Sequence, residues 1–171
     1  LAIDGDLNDM RDEMRSIGIK NDAARDAGHL RGVQASMDVE KQAPNVLTRL
    51  RMALPLKQAR AAARRLAWAQ AESSYRKTLK YAPDQVGVLV QLGHALREQN
   101  KAEEAIQCYR RVLLLTPRNA DIYIYLAMAL RQLGRADSAL GAYLAAWQFR
   151  PGLPSAIQGI RELNSDLTDD Q

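Results

Sequence analysis

The residues that could carry out chemistry in this chain are few and lie far apart. The two histidines, His29 and His94, fall in different segments, and the single cysteine, Cys108, precedes a tyrosine. A metal site needs several His, Cys or carboxylate ligands at suitable spacing, and nucleophilic catalysis needs a nucleophile beside a base. The sequence has neither pattern. We therefore predict no catalytic residues, no metal site and no cofactor in this chain, and we interpret Cys108 as a small buried hydrophobic residue.

The positive charge is concentrated in one segment. Residues 1–45 carry 6 basic and 9 acidic side chains, residues 46–82 carry 9 and 1, and residues 83–171 carry 9 and 10. The basic segment has three interpretations: a solvated face, a surface for an acidic partner such as the N-terminal segment of another subunit, or a surface for nucleic acid or anionic lipid. Nucleic acid is disfavoured because the segment has few aromatic residues on which bases could stack.

A spacing of 34 residues runs through the rest of the chain. Pro83, Pro117 and Pro151 follow one another at this interval. The same step relates other residues of equal type, namely Ala71, Ala105 and Ala139; Tyr75, Tyr109 and Tyr143; Leu92 and Leu126; Leu96 and Leu130; and Arg97 and Arg131. A fixed period of this length indicates a repeat architecture in which each unit stacks on its neighbours.

A 34-residue period with small, tyrosine and proline positions in phase resembles the tetratricopeptide repeat family, whose unit is a helix-turn-helix. The resemblance implies an all-α fold, a right-handed α-solenoid of three helix pairs with a C-terminal capping helix and an N-terminal helical extension. The predicted units are an extension at 1–45 and an array at 46–171, with repeats at about 52–85, 86–119 and 120–153 and a capping helix at 154–164.

Three local features refine this prediction. Val46 to Leu54 predicts a short amphipathic helix that ends before Pro55, because proline disfavours helix at the preceding residue. The first repeat has no turn glycine, so a continuous helix over 56–81 is one possibility and a break near Leu66 is the one we favour. Gly93 has no side chain, which lets a neighbouring helix approach closely.

The N-terminal segment 1–26 has a heptad-like pattern. Its apolar residues follow a spacing of 4, 3, 4 and 3, and are Ile3, Leu7, Met10, Met14 and Ile17. Such a seam suits a short coiled coil, but it is shorter than a sustained coiled coil requires. Two interpretations stay open: an amphipathic helix or frayed terminus on the array, or a homo-oligomer formed through residues 1–26.

The resemblance also implies where a partner binds. In this family, side chains on the first helix of each pair line a concave groove. By repeat position the groove residues are Arg60, Arg64, Val90, His94, Arg97, Ile124, Met128 and Arg131. The apolar members form a floor and the arginines form its edge, which suits a peptide or helix with apolar anchors and acidic flanks, because arginine binds carboxylates through two parallel hydrogen bonds.

One family-specific ligand is not predicted. Family members that hold the carboxyl terminus of a chaperone use a clamp of lysine and asparagine side chains. The corresponding positions here are Leu56, Arg60, Gln91, Asp121 and Tyr125. The clamp pattern is absent, so we do not expect chaperone-tail binding.

Three functions remain. The first is a non-catalytic scaffold that binds a partner protein or peptide in the groove. The second is an N-terminal targeting or oligomerisation module of a larger bacterial enzyme such as a glycosyltransferase; the chain begins with Leu1 rather than Met, so we expect it to be part of a longer polypeptide. The third is a structural homodimer or higher assembly built through residues 1–26 or through the array edges. There is no apolar run of the ~18 residues that a membrane span needs, and we expect a cytoplasmic location, although one cysteine does not distinguish cytosol from periplasm.

Overall fold

The computed structural model describes residues 45–169, with side chains through residue 163. Within that range it contains seven α-helices and no strand, and each helix packs against the next one along the chain. The helices are α1 (Val46–Arg64), α2 (Trp68–Leu79), α3 (Val86–Arg97), α4 (Ala102–Leu115), α5 (Ala120–Gln132), α6 (Ala136–Phe149) and α7 (Pro154–Asp169). The predicted all-α solenoid is confirmed. The predicted extension at 1–45 lies outside the described residues except for Asn45, so the number of units in the whole chain stays a prediction.

The 34-residue period is visible in the turns that follow α1, α3 and α5. The residues with positive φ in these turns are Leu66 (57°), Asn100 (59°) and Gly134 (68°), at successive intervals of 34 positions. In each turn the next N–H reaches a carbonyl five residues back: Ala67 to Ala62, Lys101 to Leu96 and Arg135 to Leu130, at 2.9–3.0 Å. This is the Schellman arrangement, which satisfies carbonyls at a helix end. The break at Leu66 is therefore confirmed, and the alternative of a continuous helix over 56–81 is wrong.

The prediction for Pro55 is also wrong, because α1 continues through this residue to Arg64. A proline inside a helix removes one backbone hydrogen bond, that of the carbonyl four residues earlier. That carbonyl belongs to Arg51, which is exposed, so water can replace the missing donor. The helix begins well ahead of the predicted repeat start at 52. Its N-terminus is capped by Asn45, whose Oδ1 accepts a hydrogen bond from the Thr48 N–H at 2.8 Å.

The core is built from the residues that recur at the same phase. Ala71, Ala105 and Ala139 are fully buried on the second helix of each pair. One turn later come Tyr75, Tyr109 and Tyr143, which are also buried. A methyl-sized residue lets adjacent helices pack closely, and the tyrosine rings then fill the space between them. The spacing seen in the sequence is thus the spacing of the helix contacts.

The last helix covers the end of the array. Ala156, Ile160 and Leu163 of α7 are buried against the preceding units, while Gln158 and Arg161 are exposed. Helix α7 extends to Asp169, beyond the predicted end at 164. A polar outer face on the terminal helix is what a solenoid needs for solubility. No helix within residues 45–169 is both long and apolar enough to cross a membrane.

Candidate partner-binding face

Helices α3 and α5 lie side by side and share a cluster of aromatic side chains. The His94 and Tyr125 rings meet edge to face, with centroids 4.4 Å apart and planes at 78°. The Tyr109 hydroxyl lies 3.4 Å from Nδ1 of His94, and its ring centroid is 5.9 Å from that of Tyr125. We call His94, Tyr109 and Tyr125 the aromatic cluster. Its packing fixes the relative positions of the two helices, and therefore of the polar side chains beside it.

Burial sets the charge of His94. The side chain is half-buried, which disfavours the imidazolium, and the nearby Arg97 guanidinium disfavours it further. Glu98 acts in the opposite direction but is weaker, so the pKa of His94 lies below its usual value. At neutral pH the ring is uncharged and can offer one donor and one acceptor nitrogen.

Arg97 connects the end of α3 to the exposed methionine of α5. Its Nη1 lies 3.4 Å from Sδ of Met128, and its Nη2 donates to Glu98 Oε1 at 2.8 Å. The Arg97 side chain is only 20% exposed, whereas Met128 is 40% exposed. A flexible thioether next to a guanidinium makes a site with an apolar part and a cationic part.

Arg131 makes the equivalent connection one unit later, between α5 and α7. Its Nη1 donates to Glu162 Oε2 at 2.5 Å. Polar contact with the Tyr143 side chain, together with Glu162, raises the pKa of Arg131. Gln158 donates to the other oxygen of Glu162 at 2.8 Å. Arg97 and Arg131, which are one period apart, thus each hold a glutamate.

Hydrogen bonds from one glutamine lock α3 and α5 together at their C-terminal ends. Gln132 Nε2 donates to the Arg97 carbonyl at 3.2 Å and to Asn100 Oδ1 at 2.7 Å. These bonds join the end of α5 to the turn after α3. We call His94, Arg97, Met128, Arg131 and Glu162 the α3–α5–α7 face, which is held by contacts between successive units.

The predicted groove residues differ in how much surface they offer. His94, Arg97, Met128 and Arg131 lie on this face, and Val90 is half-buried against the core. Ile124 is only 6% exposed, so it belongs to the core and gives a ligand little surface.

The two groove residues predicted on α1 take no part in the contacts that hold this face. Arg60 and Arg64 are exposed. Burial raises the pKa of Tyr75, and the nearby Arg60 guanidinium opposes that rise. In the described part of the chain, no hydrogen bond, ion pair or ring contact joins either arginine to the other six predicted groove residues.

Sequence reasoning missed the acidic partners of the arginines. Glu98 is adjacent in sequence to Arg97 but was not counted, and Glu162 lies in α7, outside the repeats. Arg150, which follows α6, is likewise paired with Asp121 of α5. The face is therefore less basic than the arginines alone suggested. The sequence offered one indication of these ion pairs, which was Glu162, the only glutamate of α7.

Two further kinds of site, a metal site and a reactive thiol, can be checked among the described residues. No group of three or more His, Cys, Asp or Glu side chains among them could hold a metal ion. Burial raises the pKa of the Cys108 thiol to about 11, so the thiolate is scarce at neutral pH.

Comparison with known families agrees with the repeat geometry. Residues 90–154, which contain α3 to α6 apart from the first turn of α3, match the model of the family described as tetratricopeptide repeat. The repeats in this part of the chain are tetratricopeptide repeats. No curated protein sequence matches it significantly.

Several solved tetratricopeptide repeat structures share this fold. The Arabidopsis OM64 TPR domain has a TM-score of 0.64 and 18% identity, covering 69% of this chain and 98% of that domain. MamA has a TM-score of 0.65 and 23% identity, covering 87% of this chain and 85% of that chain. The first TPR of Spaghetti (RPAP3), described as bound to the HSP90 peptide SRMEEVD, has a TM-score of 0.64 and 14% identity, covering 70% of this chain and 94% of that chain. At these identities the likeness establishes the fold.

Proposed function

We propose that this chain is a non-catalytic scaffold that binds a peptide or helix of a partner protein on the α3–α5–α7 face. The observation that carries the proposal is the pairing of Arg97 with Met128 across two units, since it puts an exposed apolar side chain 3.4 Å from a guanidinium nitrogen. Related folds give support by analogy: RPAP3 and Sti1 TPR domains are described with HSP90 or HSP70.

The ligand that fits is an extended segment with acidic and apolar side chains. A carboxylate of the ligand would replace Glu98 on Arg97, or Glu162 on Arg131, so that the arginine stays paired throughout. An apolar side chain would cover Met128 and the exposed edge of the aromatic cluster. A ligand carboxylate only replaces a glutamate that already pairs with the arginine, so a single acidic residue gains little binding free energy. The affinity therefore depends on the combination of acidic and apolar residues in the ligand.

The terminal carboxylate of such a peptide should contribute little. In chaperone-binding relatives, a carboxylate clamp lies at positions whose side chains make other contacts in this chain. Tyr125 packs on His94, and Asp121 pairs with Arg150. We therefore propose recognition of internal side chains rather than of a chain end. This would distinguish the chain from relatives that hold a chaperone's carboxyl terminus.

A random-peptide display library selected on the whole chain tests the proposal. We expect enriched sequences that combine Asp or Glu with apolar residues. A selected peptide should bind about 10-fold or more weakly to Arg97→Glu with Arg131→Glu, because each change replaces a charge-assisted contact by repulsion. Amidation of the peptide's C-terminus should leave its affinity unchanged.

The matched control is Arg110→Glu, a charge reversal at an exposed position of α4 that lies outside the proposed face. Equal affinity of the selected peptide for the double variant and the wild-type chain would refute binding on the α3–α5–α7 face. Equal loss in the double variant and in Arg110→Glu would indicate a general charge effect instead. Circular dichroism of all three proteins shows whether each remains helical.

The other predictions remain untested. A targeting or oligomerisation arm of a larger bacterial enzyme gains no support from the TPR domains compared above. A homo-oligomer through residues 1–26 and a cytoplasmic location also stay as predictions. For the enzyme arm, the polypeptide encoded on both sides of this sequence is the decisive observation.

A further inference from the structure

The first half of α1 carries a stripe of apolar side chains that no described residue covers. Its members are between 55% and 82% exposed, and they are Val46, Leu47, Leu50 and Leu54. Their spacing places them together on one side of the helix. Met52 and Ala59 face the other way and are buried. Four large apolar residues in one patch are more than the scattered exposure that soluble surfaces ordinarily show. We call these four residues the α1 stripe.

Cations lie along one edge of the α1 stripe. A shallow depression of about 620 Å³ between α1 and α2 is lined by Leu50 and Leu54 of the stripe together with Arg51, Lys77 and Lys80. Arg51, Lys77 and Lys80 have no carboxylate partner among residues 45–163, unlike Arg76, which pairs with Glu72 and Glu104. The surface therefore combines exposed apolar area with unneutralised positive charge.

The position of the stripe explains why a cover is needed. It lies at the start of the described array, while the opposite end is covered by α7. Solenoids need a cap at both ends, because a terminal unit otherwise exposes the surface on which another unit would stack. A cap for this end should be amphipathic, with an apolar side for the stripe and acidic residues for the cations.

We propose that residues 1–26 of the same chain dock on the α1 stripe and its basic edge. The segment carries the apolar seam of Ile3, Leu7, Met10, Met14 and Ile17. It holds 7 acidic and 4 basic side chains, a net charge of −3, whereas residues 46–82 carry 9 basic and 1 acidic, a net charge of +8. Apolar pattern and charge both match the exposed surface.

Connectivity favours the same chain over a second copy. Residues 27–45 can span up to roughly 60 Å when extended, and the stripe from Val46 to Leu54 is only about 12 Å long on a helix. The segment can therefore reach the stripe easily. A tether of this length gives an effective concentration on the order of millimolar. A separate copy would have to exceed that concentration to compete.

Paramagnetic broadening in the full-length chain tests the proposal. Cys108 is replaced by serine, and a nitroxide label is attached at Lys80→Cys in the depression. We expect the amide signals of residues 3–17 to lose more than about half of their intensity, because docking brings them close to the label. A label at Arg118→Cys, exposed beyond the end of α4, is the matched control and should leave these signals unchanged.

A mixed sample identifies which copy is involved. It combines isotope-labelled chain without nitroxide and nitroxide-labelled chain without isotope. We expect no broadening of residues 3–17 in this sample. Broadening there at the level of the single-chain experiment would overturn the proposal in favour of a second copy. Absence of broadening in both samples would overturn docking altogether.

Two variants in the full chain complete the test. Leu7→Asp with Met10→Asp should abolish the broadening, whereas Asn8→Asp, which lies off the seam, should preserve it. Sedimentation with phosphatidylserine vesicles tests a lipid as the occupant. We expect the wild-type chain to bind them at least about 5-fold more weakly than the Leu7→Asp, Met10→Asp chain, because docking hides the stripe. Equal binding by both chains would overturn the proposal, since it would show that the stripe is open to lipid.

Discussion

Gly93 lies directly against the ring of Tyr109. A Cβ atom at position 93 would be 2.5 Å from Cε1 and 2.8 Å from Cζ of that ring. The ring cannot move aside easily, because Tyr109 is fully buried and packs against both His94 and Tyr125. Gly93 thus sets the distance between α3 and α4 and, through the tyrosine, the position of the aromatic cluster.

We expect Gly93→Ala to destabilise the protein by about 1–3 kcal/mol, because the added methyl overpacks a closed contact. Gly141→Ala is the matched control, since position 141 is also inside a helix but a Cβ atom there would have no neighbour within 4 Å. It should stabilise by up to about 1 kcal/mol through the higher helix propensity of alanine. Urea denaturation measures both changes, and equal effects of the two substitutions would refute the contact argument.

Leu66 adopts a left-handed backbone conformation that costs energy for a residue with a side chain. Its φ is 57°, and it is 68% exposed, so little packing compensates the strain. Leu66→Gly should stabilise the protein by about 0.5–1 kcal/mol, since Gly134 occupies the same turn position two periods later without that strain. Thermal denaturation checks this, and Gly134→Ala should have the opposite sign. A loss of stability in Leu66→Gly would mean that the leucine side chain contributes packing that outweighs its strain.

Glu72 connects two units through three donors. It accepts from Arg76 Nε and Lys101 Nζ at 2.8 Å and from Gln99 Nε2 at 3.0 Å, and its side chain is 13% exposed. Burial alone would raise its pKa, but the three donors outweigh burial and lower it. A lowered folded-state pKa gives stability that is present above the unfolded value of about 4.3 and is lost as pH falls through the folded value.

Glu72→Gln should therefore cost about 1–2 kcal/mol at pH 7 and should reduce the loss of stability on acidification below about pH 4.5. Glu103→Gln is the control, because Glu103 and its partner Arg135 are both about half exposed. It should change stability by less than about 0.5 kcal/mol. Urea denaturation over roughly pH 3–7 provides the comparison, and identical pH profiles for wild type and Glu72→Gln would contradict the prediction.

Cys108 should react slowly with thiol reagents in the folded protein. Its pKa of about 11 leaves far less thiolate than a free cysteine with a pKa of about 8.5. We expect iodoacetamide alkylation at about pH 8 to be about 100-fold slower than in the guanidinium-unfolded chain, where the thiol is free. Mass spectrometry measures the alkylation rate in both states. Equal rates in the folded and the unfolded protein would show that Cys108 is exposed and activated.

Much of the fold followed from the sequence because one rule recurs. Prolines, alanines and tyrosines recur at the same position of each repeat, and each set forms the same turn or the same helix contact. The turns at Asn100 and Gly134 therefore predicted the break at Leu66, although position 66 is not a glycine. Pro55 was misjudged because a single lost hydrogen bond is tolerated where water can reach the free carbonyl. The effect of a proline depends on solvent exposure, which local sequence does not contain.

The candidate face was predictable in its position and less so in its charge. Repeat position places Arg97 and Arg131 on the first helix of each pair. Their pairing with Glu98 and Glu162 depends on side-chain geometry and on α7, which lies outside the repeat. The burial of Ile124 depends likewise on how α5 packs on its neighbours. Such contacts between units are set by tertiary packing, and the 34-residue spacing in the sequence does not predict them.

Methyl NMR with labelled methionines is the most direct test of peptide binding on the α3–α5–α7 face. Met128 is exposed on that face, whereas Met52 is buried in α1 and serves as the internal control. On addition of a library-selected acidic peptide, we predict a saturable shift of the Met128 methyl signal and no shift of the Met52 signal. Saturable binding that leaves Met128 unchanged would contradict the account, because the partner would then bind elsewhere.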